Sequence, residues 1–179
     1  MIKYTETQVT FSEIPDEISL CINISNCPHR CVNCHSPHLQ EDIGEELTFE
    51  VLDKLINKNK GITCVCFMGD AGSPFRIADF AKYAKLGYGL KTALYTGLDY
   101  SLIGIIDLGN RPHVEWFDYI KTGHYDENRG PLTSKTTNQR MYKKISDKPI
   151  KFEDITYKFQ KGEPYFLESG ASYFFLFVS

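Results

Sequence analysis

At 179 residues and 20.5 kDa the chain has the size of one domain, and its 42% hydrophobic and 13% aromatic content can build a core, which excludes disorder for its bulk. Twenty Lys and Arg against 23 Asp and Glu leave a formal net charge of -3, so the basic field that a nucleic-acid partner requires is absent. No apolar run reaches the ~18 residues that span a bilayer, and the N-terminus from Met1 to Glu6 lacks the apolar core of a secretory signal. No membrane is expected, and a cytoplasmic location follows as the expectation. There thiols stay reduced, so the six cysteines read as ligands, catalytic thiols or small buried residues in place of three disulfides.

In chain order, residues 18–24 have the apolar character and length of a strand, and a polar loop rich in Cys, His, Asn and Pro follows. Thr48 caps a predicted helix carrying Phe49, Leu52, Leu55 and Ile56 at helical spacing, with a stop at Asn59, Lys60 and Gly61. Residues 62–68 read as a strand buried on both faces, as in parallel sheets. A glycine loop at Gly69 to Gly72 leads to Ser73 and Pro74, a cap and first-turn pair, and then to a helix with Ile77, Phe80, Ala81 and Ala84 on its apolar face. Residues 91–96 repeat the passage from strand to glycine at Gly97; Leu102, Ile105 and Ile106 suggest a short helix, and 116–121 a further strand.

Such alternation predicts an α/β domain over 1–179, a partial (β/α) barrel or a curved, mostly parallel sheet, because a complete eight-unit barrel takes ~250 residues. Residues 123–138 are polar and turn-rich and read as a long loop, functional or simply exposed. Two more strand-like runs follow, at 154–159 and 172–178.

The chemistry concentrates in Cys27-Pro-His-Arg-Cys31-Val-Asn-Cys34, three thiols within eight positions. A zinc finger or an electron-transfer cluster normally takes four ligands, and no fourth cysteine is local. Three thiolates can hold three corners of a 4Fe-4S cube and leave one iron open for a substrate's amine and carboxylate. A mixed Cys/His zinc site using His29, His35 or His38 is the competing reading of the same segment. Cys21, Cys64 and Cys66 are expected to be buried small residues, and Asp70 a turn residue or part of the site.

The Cys-x3-Cys-x2-Cys loop after a strand of a βα series resembles the radical S-adenosylmethionine (SAM) superfamily. The series Cys27 to Pro37, Met68-Gly69-Asp70, Leu94-Tyr95-Thr96-Gly97, Asp118 to Gly123 and Thr137 to Arg140 is similar to the activating proteins of anaerobic ribonucleoside-triphosphate reductases. That resemblance covers most of the chain. It implies a radical SAM domain in which Cys27, Cys31 and Cys34 bind a 4Fe-4S cluster, with SAM beside Asn33, Cys34, His35, Met68, Gly69, Asp70 and Lys121. Asn33 stands where the superfamily often has an aromatic residue, and Met68-Gly69-Asp70 where it often has Gly-Gly-Glu, so these contacts are expected through backbone atoms. The implied activity is reductive cleavage of SAM to methionine and a 5′-deoxyadenosyl radical, which takes the α-hydrogen of a glycine. The implied partners are the large reductase subunit and an electron donor such as a flavodoxin. Alternatives are an activase of another glycyl-radical enzyme, a small-molecule radical SAM enzyme such as a deazaguanine-forming synthase, and a non-catalytic metal-binding module.

Overall fold

A computed structural model of the chain describes residues 1–99 and 114–160. The predicted short helix at Leu102, Ile105 and Ile106 and the predicted strand at 172–178 lie outside the described residues. The strands are β1 (Lys3–Thr10), β2 (Ser19–Ile24), β3 (Glu45–Glu46), β4 (Cys64–Met68), β5 (Lys91–Tyr95), β6 (Tyr119–Thr122), β7 (Arg140–Asp147) and β8 (Ile150–Asp154), and the α-helices are α1 (Phe49–Lys58) and α2 (Pro74–Tyr88).

All eight strands join one sheet in the order β3-β1-β2-β4-β5-β6-β7-β8. Among the described residues β3 and β8 are its two edges, and the sheet they bound is open. The central strands β2, β4, β5 and β6 run parallel, as the βα alternation requires, while β1, β3, β7 and β8 are added antiparallel. The expectation of a mostly parallel sheet is therefore corrected: of seven pairings three are parallel, and the sheet is mixed. The physical reason is connection length. β1 with β2, and β7 with β8, are joined by short segments that can only return the chain antiparallel.

α1 starts where Thr48 accepts a hydrogen bond from the Val51 N–H at 3.2 Å. Such a cap is worth about 1 kcal/mol. α2 starts at Pro74, with Ser73 before it, although the Ser73 side chain makes no capping bond. The central parallel strands alternate between the two faces of the sheet, their registers unbroken. Leu20, Ile22, Ile24, Val65, Phe67, Leu94 and Ile120 meet Leu52 and Ile56 of α1 and Ile77, Ala81 and Ala84 of α2 in the main core. Each large side chain so buried contributes about 1.5–3 kcal/mol of transfer free energy.

On the opposite face the register draws residues into rows across the parallel strands. Ser19 and Cys64 lie beside Lys91; one row along are Cys21, Cys66, Ala93 and Tyr119; the last row, at the C-terminal ends, is Asn23, Met68, Tyr95 and Lys121. At the other end of this sheet Glu17, buried, accepts hydrogen bonds from the Thr63 hydroxyl at 2.7 Å and the Tyr119 hydroxyl at 3.1 Å, and pairs with Lys91. The run at 154–159, expected as a strand, forms the end of β8 followed by a 3-10 turn at Thr156–Phe159. Asp154 causes the change by accepting from the Thr156 N–H at 2.9 Å, a local bond that competes with the strand ladder. No helix among the described residues is long and apolar enough to cross a membrane.

Candidate metal and cofactor site

The row of Asn23, Met68, Tyr95 and Lys121 forms the floor of a cavity of about 700 Å³. This is the end at which open α/β sheets place ligands, because the loops leaving parallel strands converge there. The loop after β2 makes one wall. It is closed at its base by backbone bonds from Asn26 to Glu41 and from Cys27 to Leu39, both 2.9 Å, and by the buried Leu39 side chain. Arg30 and Asn33 take left-handed backbone conformations, φ 48° and 51°, which bend the loop between its cysteines.

Cys27, Cys31 and Cys34 are free thiols, half-buried, and all line the cavity. Burial pushes the Cys27 thiol up, with Asp70 and the other two thiols adding to the shift and a hydrogen bond from the His29 backbone opposing it. Lys121 faces the three thiols from the floor. Burial lowers its ammonium to about 8, the three sulfurs pulling the other way, and it donates to the Gly123 carbonyl at 2.9 Å. Among the described residues no group of three His, Cys, Asp or Glu side chains converges on a single-ion position.

Gly69 has φ +127°, and a Cβ there would lie 3.1 Å from the Ile24 carbonyl, so the turn after β4 approaches β2 as only glycine allows. Asp70 follows but does not line the cavity. Its buried carboxylate accepts from the Gly72 N–H at 2.8 Å and from the Thr96 hydroxyl, so its side chain holds the turn. Of the residues singled out in the sequence, Cys27, Cys31, Cys34, Asn33, His35, Met68, Gly69 and Lys121 do line it.

Tyr95, Glu13, Gly97, Leu132 and Phe159 also line the cavity and were not singled out as site residues. The Tyr95 hydroxyl donates to the Glu13 carbonyl at 2.8 Å and lies 3.1 Å from its carboxylate, and burial raises it well above the ordinary phenol range. The alternation of β5 was the available signal for Tyr95, since it places residue 95 on the same face as Ala93. Glu13 sits in a connection whose position no local pattern reveals.

The 123–138 segment is a loop, as expected, and makes the facing wall through His124, Tyr125 and Leu132. Asn138 donates to the His124 carbonyl at 3.0 Å, and Gln160 to the Ser134 carbonyl at 3.1 Å. Asn33 of the cysteine loop bonds Glu127, joining the two walls. Cys21, Cys64 and Cys66 are buried beneath the floor, where burial first of all raises the Cys64 and Cys66 thiols.

Two observations bear on whether these residues suit an iron-sulfur cluster with an organic ligand. Three soft sulfur donors reach one cavity from a single loop, the ligand type that Fe–S clusters take. The glycine turn at Gly69 leaves its backbone uncovered by any side chain of its own, and the Nε2 atom of His29, which lines the same cavity, is buried without a hydrogen-bond partner among the described residues. The donor set fits. No family model, curated protein or solved structure matches the chain.

Proposed function

We propose that this chain is a radical SAM activase, with Cys27, Cys31 and Cys34 holding a 4Fe-4S cluster and the anaerobic ribonucleoside-triphosphate reductase large subunit as its substrate. The observation that supports the reading best is that three thiols of one loop and the half-buried Lys121 face each other across one cavity at the C-terminal ends of parallel strands. Bound there, the cluster would supply one electron to the sulfonium of SAM and so the means to remove a glycine α-hydrogen. The open sheet is read as the partial (β/α) barrel of such enzymes.

The chain's own residues bind, orient and shield. Lys121, charged below about pH 8, offers an ammonium to a carboxylate in a setting of low polarity. The backbone of Met68 and Gly69, and that of Asn33 to His35, offers peptide groups to the polar edges of the ligand. Met68, Leu132 and Phe159 exclude water, which a carbon-centred radical requires. A flavodoxin-like protein is the electron donor in this reading.

The test is anaerobic reconstitution followed by electron paramagnetic resonance on a mixture of reduced protein, SAM and the reductase chain. A glycyl doublet in the partner is the expected result. SAM turnover with a free metabolite and no protein radical would point to a small-molecule enzyme, and a chain that takes up no sulfide to a plain metal-binding module; either outcome refutes the proposal.

A further inference from the structure

We propose that His29 donates its Nε2 hydrogen to a sulfur of the cluster held by Cys27, Cys31 and Cys34, an inference that rests on the reading above. His29 lies between two of the cysteines on the same loop and lines the same cavity. Its backbone N–H already serves the Cys27 thiol. The imidazole lies against Gly97 in the loop after β5: a Cβ at Gly97 would come within 2.6 Å of its Cγ and Nε2 atoms, so the ring is seated where only a glycine leaves room.

Seated there, Nε2 is buried and has no hydrogen-bond partner among the described residues. An unpaired buried polar atom costs about 1–3 kcal/mol, and a phenyl ring would fill the same place against Gly97 without that cost. The nitrogen therefore implies a partner that arrives with the cofactor. Thiolates and sulfides accept hydrogen bonds and do not donate them, so the ring must present N–H at that position. Hydrogen bonds to the sulfurs are one of the levers that set the reduction potential of a cluster, because they stabilise the more negative, reduced state. His29 on this view makes the cluster easier to reduce, a role separate from ligation.

The experiment compares wild type, His29→Phe, His29→Gln and Gly97→Ala after anaerobic reconstitution. Iron and sulfide content come first. The midpoint potential follows by redox titration without SAM, then SAM affinity. His29→Phe is expected to keep a full cluster at a lower potential, His29→Gln to recover part of the loss through its amide N–H, and Gly97→Ala to lower the potential by displacing the ring. Potentials equal to wild type in His29→Phe and Gly97→Ala, at full iron content, overturn the inference while leaving the functional reading intact. Weakened SAM binding at unchanged potential overturns it too, since the hydrogen bond would then belong to SAM. If His29→Phe assembles no cluster, Gly97→Ala against wild type decides. A wild-type chain that takes up no iron and sulfide overturns both.

Discussion

Six cysteines in one chain divide into two populations by position alone. Cys27, Cys31 and Cys34 reach the cavity, whereas Cys21, Cys64 and Cys66 sit under its floor, where burial keeps Cys64 and Cys66 as neutral thiols. An alkylating reagent at pH 8 should label the first three in the folded apoprotein and reach the others only in denaturant, as read by mass spectrometry. Serine at position 27, 31 or 34 should each abolish most iron uptake, while Cys64→Ala keeps the cluster and lowers stability by about 1 kcal/mol. Iron lost in Cys64→Ala would contradict the three-cysteine assignment. Lys121 allows a separate test. Its ammonium, held at about 8, keeps its charge at pH 7 at a cost to the folded apoprotein, so Lys121→Met should raise the apoprotein's stability by on the order of 1 kcal/mol while weakening SAM binding.

At the scale of elements, what could be read in advance was what local composition encodes. α1 and α2, their starts at Thr48 and Pro74, the buried strand β4 and the loop at 123–138 follow from periodicity and turn chemistry, and the structure places them there. β1 was not legible, because Lys3–Thr10 offers only Tyr4 and Val9 as apolar positions, with no alternation between them, and becomes a strand through its pairing with β2. The hairpin of β7 and β8 was hidden for the same reason: Lys143, Lys144 and Lys151 obscure an alternation that shows only once the pairing is known. The cysteine loop was legible as a motif and the 123–138 wall as a loop; the further lining from Glu13 and Phe159 depends on contacts far apart in sequence.

Two changes test the elements that position the site. Gly69→Val, which would put side-chain atoms against the Ile24 carbonyl at a φ valine avoids, should weaken SAM binding at least tenfold while iron uptake persists. Glu17→Ala leaves the Thr63 and Tyr119 hydroxyls and Lys91 without their shared acceptor, and should cost about 3 kcal/mol in urea unfolding with the cavity unaltered.

For the whole molecule, the two faces of the sheet separate stability from chemistry. The main core lies between the sheet and α1 and α2, away from the cysteine loop. Removing iron with a chelator should therefore leave the far-ultraviolet circular dichroism almost unchanged, in contrast to a zinc finger. The opposite face governs the response to base. Cys64, Cys66, Tyr95 and Tyr119 have folded-state pKa values raised chiefly by burial. Their contribution is complete below the unfolded values, about 8.5 for a thiol and 10 for a phenol, and is lost as pH rises past them. Lys121 acts in the opposite sense, its contribution improving from about pH 8 upward. From pH 8.5 the two thiols outweigh the one ammonium, and from about 10 the two phenols join them, so the melting temperature of the apoprotein should fall between pH 8.5 and about 10.5 and most steeply at its upper end. A flat profile there would show those side chains to be wet.

The two walls of the cavity are made at different times. Cys27, Cys31 and Cys34 leave the ribosome with β2, but Lys121 and the loop that faces them follow roughly ninety residues later. At cellular elongation rates that interval is about 5–20 s. During it the cysteines belong to an unfinished sheet that cannot yet shelter them, and an oxidant meets them as ordinary accessible thiols.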